Sequence, residues 1–283
     1  MQAELLFDAR AELGEGPAWI GPEQALYWVD ILKKRVFAGT DVLLQLHDHV
    51  SCVAVRRGGG LLLALGASLV KLDTPASGFT VLARVSEPAT NRFNDGKCDP
   101  AGRLLAGTMD TREREDSGAL YSLDPHGLTR LLSGVRISNG LAWSPDAATL
   151  YHIDTPTRQI RAFDYDLGTG QIANGRTAVT VPESFGWPDG MTSDADGSLW
   201  VAMWGGARVT KWDPRTGQLL EQFPVPALQT SSCIFGGRDL SELYITSARR
   251  GMTESQLQRY PLSGGLFRLQ TRVTGTPCFE FLG

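Results

Sequence analysis

The sequence predicts an all-β fold, a six-bladed β-propeller with four antiparallel strands per blade. Three observations predict it: strand-like runs recur at a near-constant period, the runs share one wording, and amphipathic helix patterns are nearly absent. The clearest runs occupy residues 25–31, 60–65, 103–108, 149–154, 198–203 and 242–247. They are rich in β-branched and aromatic residues and lie between turn pairs such as Asp99-Pro100, Pro145-Asp146 and Asp196-Gly197. Their starts are 35, 43, 46, 49 and 44 residues apart, the spacing of a propeller blade of roughly 40–50 residues. A β-sandwich has no reason to repeat one phrase six times at that period.

Each run follows an earlier short strand, as in Gly16-Pro17-Ala18-Trp19, Gly140-Leu141-Ala142-Trp143 and Gly190-Met191-Thr192-Ser193. A second hairpin comes after it, ending in segments such as 118–124 and 265–269. The run at 5–10 suits an outer strand for the last blade, which would tie the two ends of the ring together. With 283 residues and 42% hydrophobic content, residues 1–283 are expected to form one domain around its own core.

The formal net charge is -4 and the 27 basic residues are scattered, so neither nucleic acid nor a membrane surface is an expected partner. Lys33-Lys34-Arg35 and Arg249-Arg250 read as solvated loop charges. The N-terminal segment lacks the basic and apolar regions of a signal peptide, and no apolar run approaches the ~20 residues of a membrane span. A cytoplasmic location is therefore expected, and a monomer, because a propeller closes its own sheet edges. Cys52, Cys98, Cys233 and Cys278 are far apart with no CxxC pair, and read as reduced, mostly buried thiols.

Aligned on the glycine that opens the innermost strand, the repeats present Glu15 before Gly16, Asp95 before Gly96, Asn139 before Gly140 and Asp189 before Gly190. Such equivalent positions converge at the mouth of a propeller channel. Singly, each pair reads as an ordinary turn. In common register, with a Glu that no turn requires, the four oxygen-bearing side chains suit a hard divalent cation, which relieves the repulsion between carboxylates.

The words Leu13-Gly14-Glu15-Gly16-Pro17, Asn91-Arg92-Phe93-Asn94-Asp95-Gly96-Lys97, Ser138-Asn139-Gly140-Leu141-Ala142-Trp143-Ser144 and Pro188-Asp189-Gly190-Met191 closely resemble the gluconolactonase/regucalcin (senescence marker protein) family. The resemblance extends to Phe235-Gly236-Gly237 and to 243–249, and so spans nearly the whole chain. It implies a six-bladed propeller and a sugar lactonase. It also implies that Glu15, Asn139 and Asp189 hold one divalent metal ion, with Ca2+, Zn2+, Mg2+, Mn2+ and Fe2+ all compatible with such donors. Arg92 and Asn94 would bind the substrate, and Asp95 becomes a turn or support residue. The family's acidic substrate contact after Gly107-Thr108-Met109 is shifted or lost in Asp110-Thr111-Arg112-Glu113.

The function expected is metal-dependent hydrolysis of an aldonolactone, a small sugar-acid lactone, to the aldonic acid. Asp189 would act as general base or orient the attacking water. The alternatives are a calcium-binding regulatory propeller without turnover and an organophosphate or aryl-ester hydrolase. Trp187 and Trp204 suit either a wall against the sugar or core packing. His47-x-His49 would place two imidazoles on one strand face, outside the register of the six turns; His152 reads as structural. No Gly-x-Ser-x-Gly elbow is present, which argues against a serine esterase.

Overall fold

The computed structural model describes residues 2–283 and arranges them in six four-stranded sheets, all of whose pairings are antiparallel. The chain opens with β1 (Glu4–Phe7), which belongs to the last blade. Blade one is then β2 (Gly14–Ile20), β3 (Ala25–Asp30), β4 (Arg35–Ala38) and β5 (Asp41–Gln45). Blade two is β6 (Val50–Val55), β7 (Leu61–Leu65), β8 (Ser68–Leu72) and β9 (Thr80–Arg84). Blade three is β10 (Asn91–Cys98), β11 (Leu104–Asp110), β12 (Gly118–Asp124) and β13 (Gly127–Val135), and blade four is β14 (Ser138–Trp143), β15 (Thr149–Asp154), β16 (Gln159–Asp166) and β17 (Gln171–Thr180). Blade five is β18 (Trp187–Ser193), β19 (Leu199–Trp204), β20 (Arg208–Asp213) and β21 (Gln218–Pro224). Blade six is β22 (Gln229–Gly236), β23 (Glu242–Ala248) and β24 (Leu266–Gln270), with one short helix, α1 (Glu254–Arg259), between its last two strands.

The six runs singled out in the sequence are the second strands β3, β7, β11, β15, β19 and β23. These strands are buried on both faces, because each sheet packs between two neighbouring sheets. Val29 and Ile31 of blade one, for example, share a cluster with Val53 and Leu63 of blade two. Large aromatic pairs fill the wider outer gaps, with Trp28 stacked on Phe37 at 4.0 Å and Trp200 on Phe223 at 4.8 Å. The first strands β2, β6, β10, β14, β18 and β22 contact one another in a closed ring around the channel.

Strand β1 completes blade six by pairing with β24, with Leu5 opposite Phe267 and Glu4 opposite Arg268. The strand ends short of the expected residue 10, where Arg10 turns the chain with φ +47°. Beyond β24 the C-terminal tail crosses the opposite end of the channel. Gly275 N–H donates to Leu240, Thr276 to Ser193, Phe281 to Val55 and Leu282 to Gly102, so four blades hold it. The four cysteines are free thiols, three of them buried. Among the described residues no helix is long and apolar enough to cross a membrane.

Candidate active site

Four of the six innermost strands, β2, β10, β14 and β18, break register at the position where a polar residue precedes glycine. The shifts fall between Glu15 and Ala18, Phe93 and Gly96, Ser138 and Leu141, and Pro188 and Met191. A bulge of this kind re-aims a side chain out of the alternating pattern. Here the bulges bring Glu15, Asn94, Asn139 and Asp189, with Arg92, to one cavity of about 500 Å3 at the mouth. The glycines permit it by closeness: a Cβ on Gly140 would stand 2.6 Å from the Asp189 carbonyl oxygen. Asp95, in the same bulge as Asn94, is buried and does not line that cavity.

Two ligand candidates are fixed by one device that sequence reading missed. The carboxylate of Asp30, at the end of β3, accepts the backbone N–H of Leu13 at 3.1 Å, two residues before Glu15. Asp154, at the end of β15, accepts that of Ile137 at 3.0 Å, two residues before Asn139. Asn139 Nδ2 then donates to Thr155 Oγ1 at 2.7 Å, and Thr155 Oγ1 donates to the Pro188 carbonyl at 2.8 Å. Thr155 thus joins the Asn139 amide to the segment that carries Asp189, and leaves Oδ1 of Asn139 to accept from Asn94 Nδ2 at 3.0 Å.

Glu15, Asn139 and Asp189 are 6%, 4% and 5% exposed. Neither carboxylate has a cationic side chain within salt-bridge distance among the described residues, and Glu15 accepts only its neighbour Gly16 N–H, at 3.1 Å. Burial, then the charge of Asp95, pushes the Glu15 carboxyl up to about 8 against the pull of the Gly16 N–H and Arg92. Burial, then the charges of Glu15 and Asp95, holds Asp189 well above the usual carboxylate range, with Arg250 opposing. Two desolvated carboxylates that raise one another, beside an amide oxygen held in place, fit a hard divalent cation and leave coordination positions free.

One side of the cavity is basic and aromatic. Arg92, 5% exposed, spends Nη1 on the Phe93 carbonyl at 2.7 Å and on Asn94 Oδ1 at 2.8 Å. Its remaining donors meet no acceptor among the described residues. Burial, then the nearby Arg250 charge, brings its pKa down to about 10. Trp187 and Trp204 both line the cavity, and Arg158 covers one face of the Trp187 ring at 3.6 Å.

Glu113 also lines the cavity, on a turn shaped by Asp110 as it accepts the N–H groups of Arg112 and Arg114. The doubtful segment after Met109 therefore does deliver a carboxylate to the mouth. Arg250, read as a solvated loop charge, lines the same cavity and pairs with Glu113 at 2.6 Å. Its turn is tied to the entry of blade one, since Arg250 N–H donates to the Glu12 carbonyl at 2.9 Å. The His47-x-His49 pair lies on the turn between β5 and β6 rather than on a strand, with Asp48 accepting the His49 N–H at 2.7 Å. His152 is buried, hydrogen-bonded to Ser138 Oγ at 2.8 Å and pushed down to about 3 by burial, hence neutral.

Residues 13–249 match the model of the SMP-30/Gluconolactonase/LRE-like region. The chain belongs to that family. Regucalcin of Danio rerio is 39% identical over 292 residues, which span 100% of this chain and 99% of the relative. The structure of a calcium-binding protein, regucalcin, from Agrobacterium tumefaciens superposes with a TM-score of 0.92 at 28% identity, covering 100% of this chain and 97% of that one. A gluconolactonase of Xanthomonas campestris superposes with a TM-score of 0.75 at 27% identity, covering 94% and 88%. Membership of the gluconolactonase/regucalcin family is consistent with a lactonase.

Proposed function

We propose that the chain hydrolyses the lactone of a sugar acid, using one divalent cation held by Glu15, Asn139 and Asp189. The observation that carries this reading is the pair of buried carboxylates, Glu15 and Asp189, sharing one cavity with no cationic partner in contact among the described residues. The gluconolactonase of Xanthomonas campestris supports the reaction class, and the calcium-binding regucalcin supports the cation.

A divalent cation held there by Glu15, Asn139 and Asp189 would supply polarisation of the lactone carbonyl and a lowered pKa for an attacking water. The free donors of Arg92 hold substrate oxygens and Asn94 Oδ1 accepts from a substrate hydroxyl, its two N–H groups being donated to the Ser138 carbonyl and Asn139 Oδ1, while the Trp187 and Trp204 side chains border the sugar's apolar face. Asp189 orients the attacking water and accepts its proton. The water oxygen bonds to the acyl carbon and the bond from that carbon to the ring oxygen breaks. The proton then passes to the ring oxygen, which leaves as a hydroxyl, and the product acid ionises. The tail across the far end of the channel restricts water to the mouth side.

The test is acid release at constant pH from a panel of aldonolactones, with chelator-stripped protein to which each divalent cation is returned separately. Cation-restored turnover that Asp189→Ala abolishes is the expected result. Tight cation binding with no turnover of any lactone would replace this reading with a calcium-binding protein that is not an enzyme.

A further inference from the structure

The ion pair between Arg250 and Glu113 crosses the mouth. Arg250 follows β23 in blade six, Glu113 follows β11 in blade three, and the third and sixth of six blades stand opposite one another across the channel axis. The two side chains are 37% and 39% exposed, and among the described residues only Nη2 of the guanidinium is engaged, so most of its donor fork is free.

The cavity lining carries three guanidinium groups, Arg92, Arg136 and Arg250, and three carboxylates, Glu15, Glu113 and Asp189. On the reading proposed above, a divalent cation neutralises Glu15 and Asp189, which leaves three positive groups facing Glu113. Arg136 has its own partner in Asp116, which is not part of the lining. Arg92 is spoken for by the lactone's oxygens. Arg250 pairs with Glu113 through Nη2 alone among the described residues, and a neutral aldonolactone has no anion for the rest of its fork. Arg250 lines the same cavity of about 500 Å3 as Arg92 and Asp189, so its guanidinium stands within the reach of one small ligand whose carbonyl lies at the cation.

Resting on the lactonase reading, we propose that the substrate is a lactone bearing a carboxylate remote from the reacting carbonyl, of the aldaric- or uronic-acid type, and that Arg250 receives that carboxylate. A planar fork takes a carboxylate through two parallel hydrogen bonds and can keep Glu113 on its remaining donor. Glu113 then positions Arg250 across the mouth and repels a carboxylate presented in the wrong orientation.

The experiment compares D-glucaro-1,4-lactone with D-glucono-1,4-lactone, which share a ring and differ by a carboxylate in place of a hydroxymethyl group. The ratio of their kcat/KM values, charged over neutral, is expected to be at least about ten in the wild-type holoprotein and to fall to near one in Arg250→Gln, chiefly through KM. Arg250→Lys is expected to recover only part of it, because it keeps the charge and loses the fork. A wild-type ratio of one, or a ratio that Arg250→Gln leaves unchanged, overturns the proposal. Turnover of neither lactone would count against the lactonase reading itself. Calorimetry with D-glucarate and D-gluconate on the cation-loaded protein then decides the present proposal alone: tighter glucarate binding lost in Arg250→Gln upholds it, and equal affinities sink it.

Discussion

Replacing Thr155 by Val keeps the shape of the side chain and removes two hydrogen bonds at once, the one from Asn139 Nδ2 and the one to the Pro188 carbonyl. The Asn139 amide is almost fully buried, so its N–H is left unsatisfied at a cost of about 1–3 kcal/mol. Part of that cost is recovered if the amide rotates, which would turn a donor toward the cation in place of Oδ1. Loss of an outer partner of a metal ligand typically weakens affinity about 10–100-fold, or roughly 1.4–2.7 kcal/mol, which matches the hydrogen-bond figure. Calorimetric titration of the metal-free protein with a divalent cation measures it. Thr155→Ser, which keeps the hydroxyl, should bind within a few-fold of wild type. A Thr155→Val protein that folds and binds the cation as tightly as wild type would refute the tether.

Two further outcomes follow from the same geometry. The folded Glu15 carboxyl titrates near 8 against an ordinary 4.5, so between these values the metal-free fold holds a proton that the unfolded chain has released. Its stability must fall as pH rises through that window, by up to about 1.4 kcal/mol per pH unit. Thermal melts in chelator should show that decline, a saturating cation should flatten it, and identical profiles with and without cation would contradict the ligand assignment. Gly140→Ala would press a Cβ on the Asp189 carbonyl oxygen and on Met191. Melts and cation titrations should show a loss of about 1–3 kcal/mol in stability together with weaker binding, and an unaltered affinity would argue that the inner strands need not approach so closely.

The propeller was legible because burial repeats. Every second strand meets the same surroundings, so residues 25–31 and 149–154 carry the same apolar density, whereas outer strands such as β9 are largely exposed and leave little trace. The metal-ligand candidates were legible for a related reason: a bulge that turns a side chain to the mouth asks for glycine next, and the chain places one after Glu15, Asn139 and Asp189. Arg250 and Glu113 were not legible, being 137 positions apart on turns of opposite blades with no shared register. Asp30 and Asp154 could have been found, since Val29-Asp30 and Ile153-Asp154 each close a second strand with the same acid. The spacing of His47 and His49 suggested a common strand face, but the Asp48 carboxylate captures the intervening backbone as a turn.

The C-terminal tail, laid across four blades, makes the channel a blind well. Whatever enters must back out by the same opening, past Arg250 and Glu113. Nothing can be threaded through or relayed to a second compartment, and a spent molecule bars the next until it departs. In the proposed reaction, ring opening would turn the lactone group into a carboxylate among the basic side chains of the rim, which would make the last step of a cycle an ionic separation. Added salt should quicken that departure even as it slows the arrival of a charged reactant. A turnover number that climbs with ionic strength while the apparent affinity declines is the kinetic mark of such a dead-end vessel.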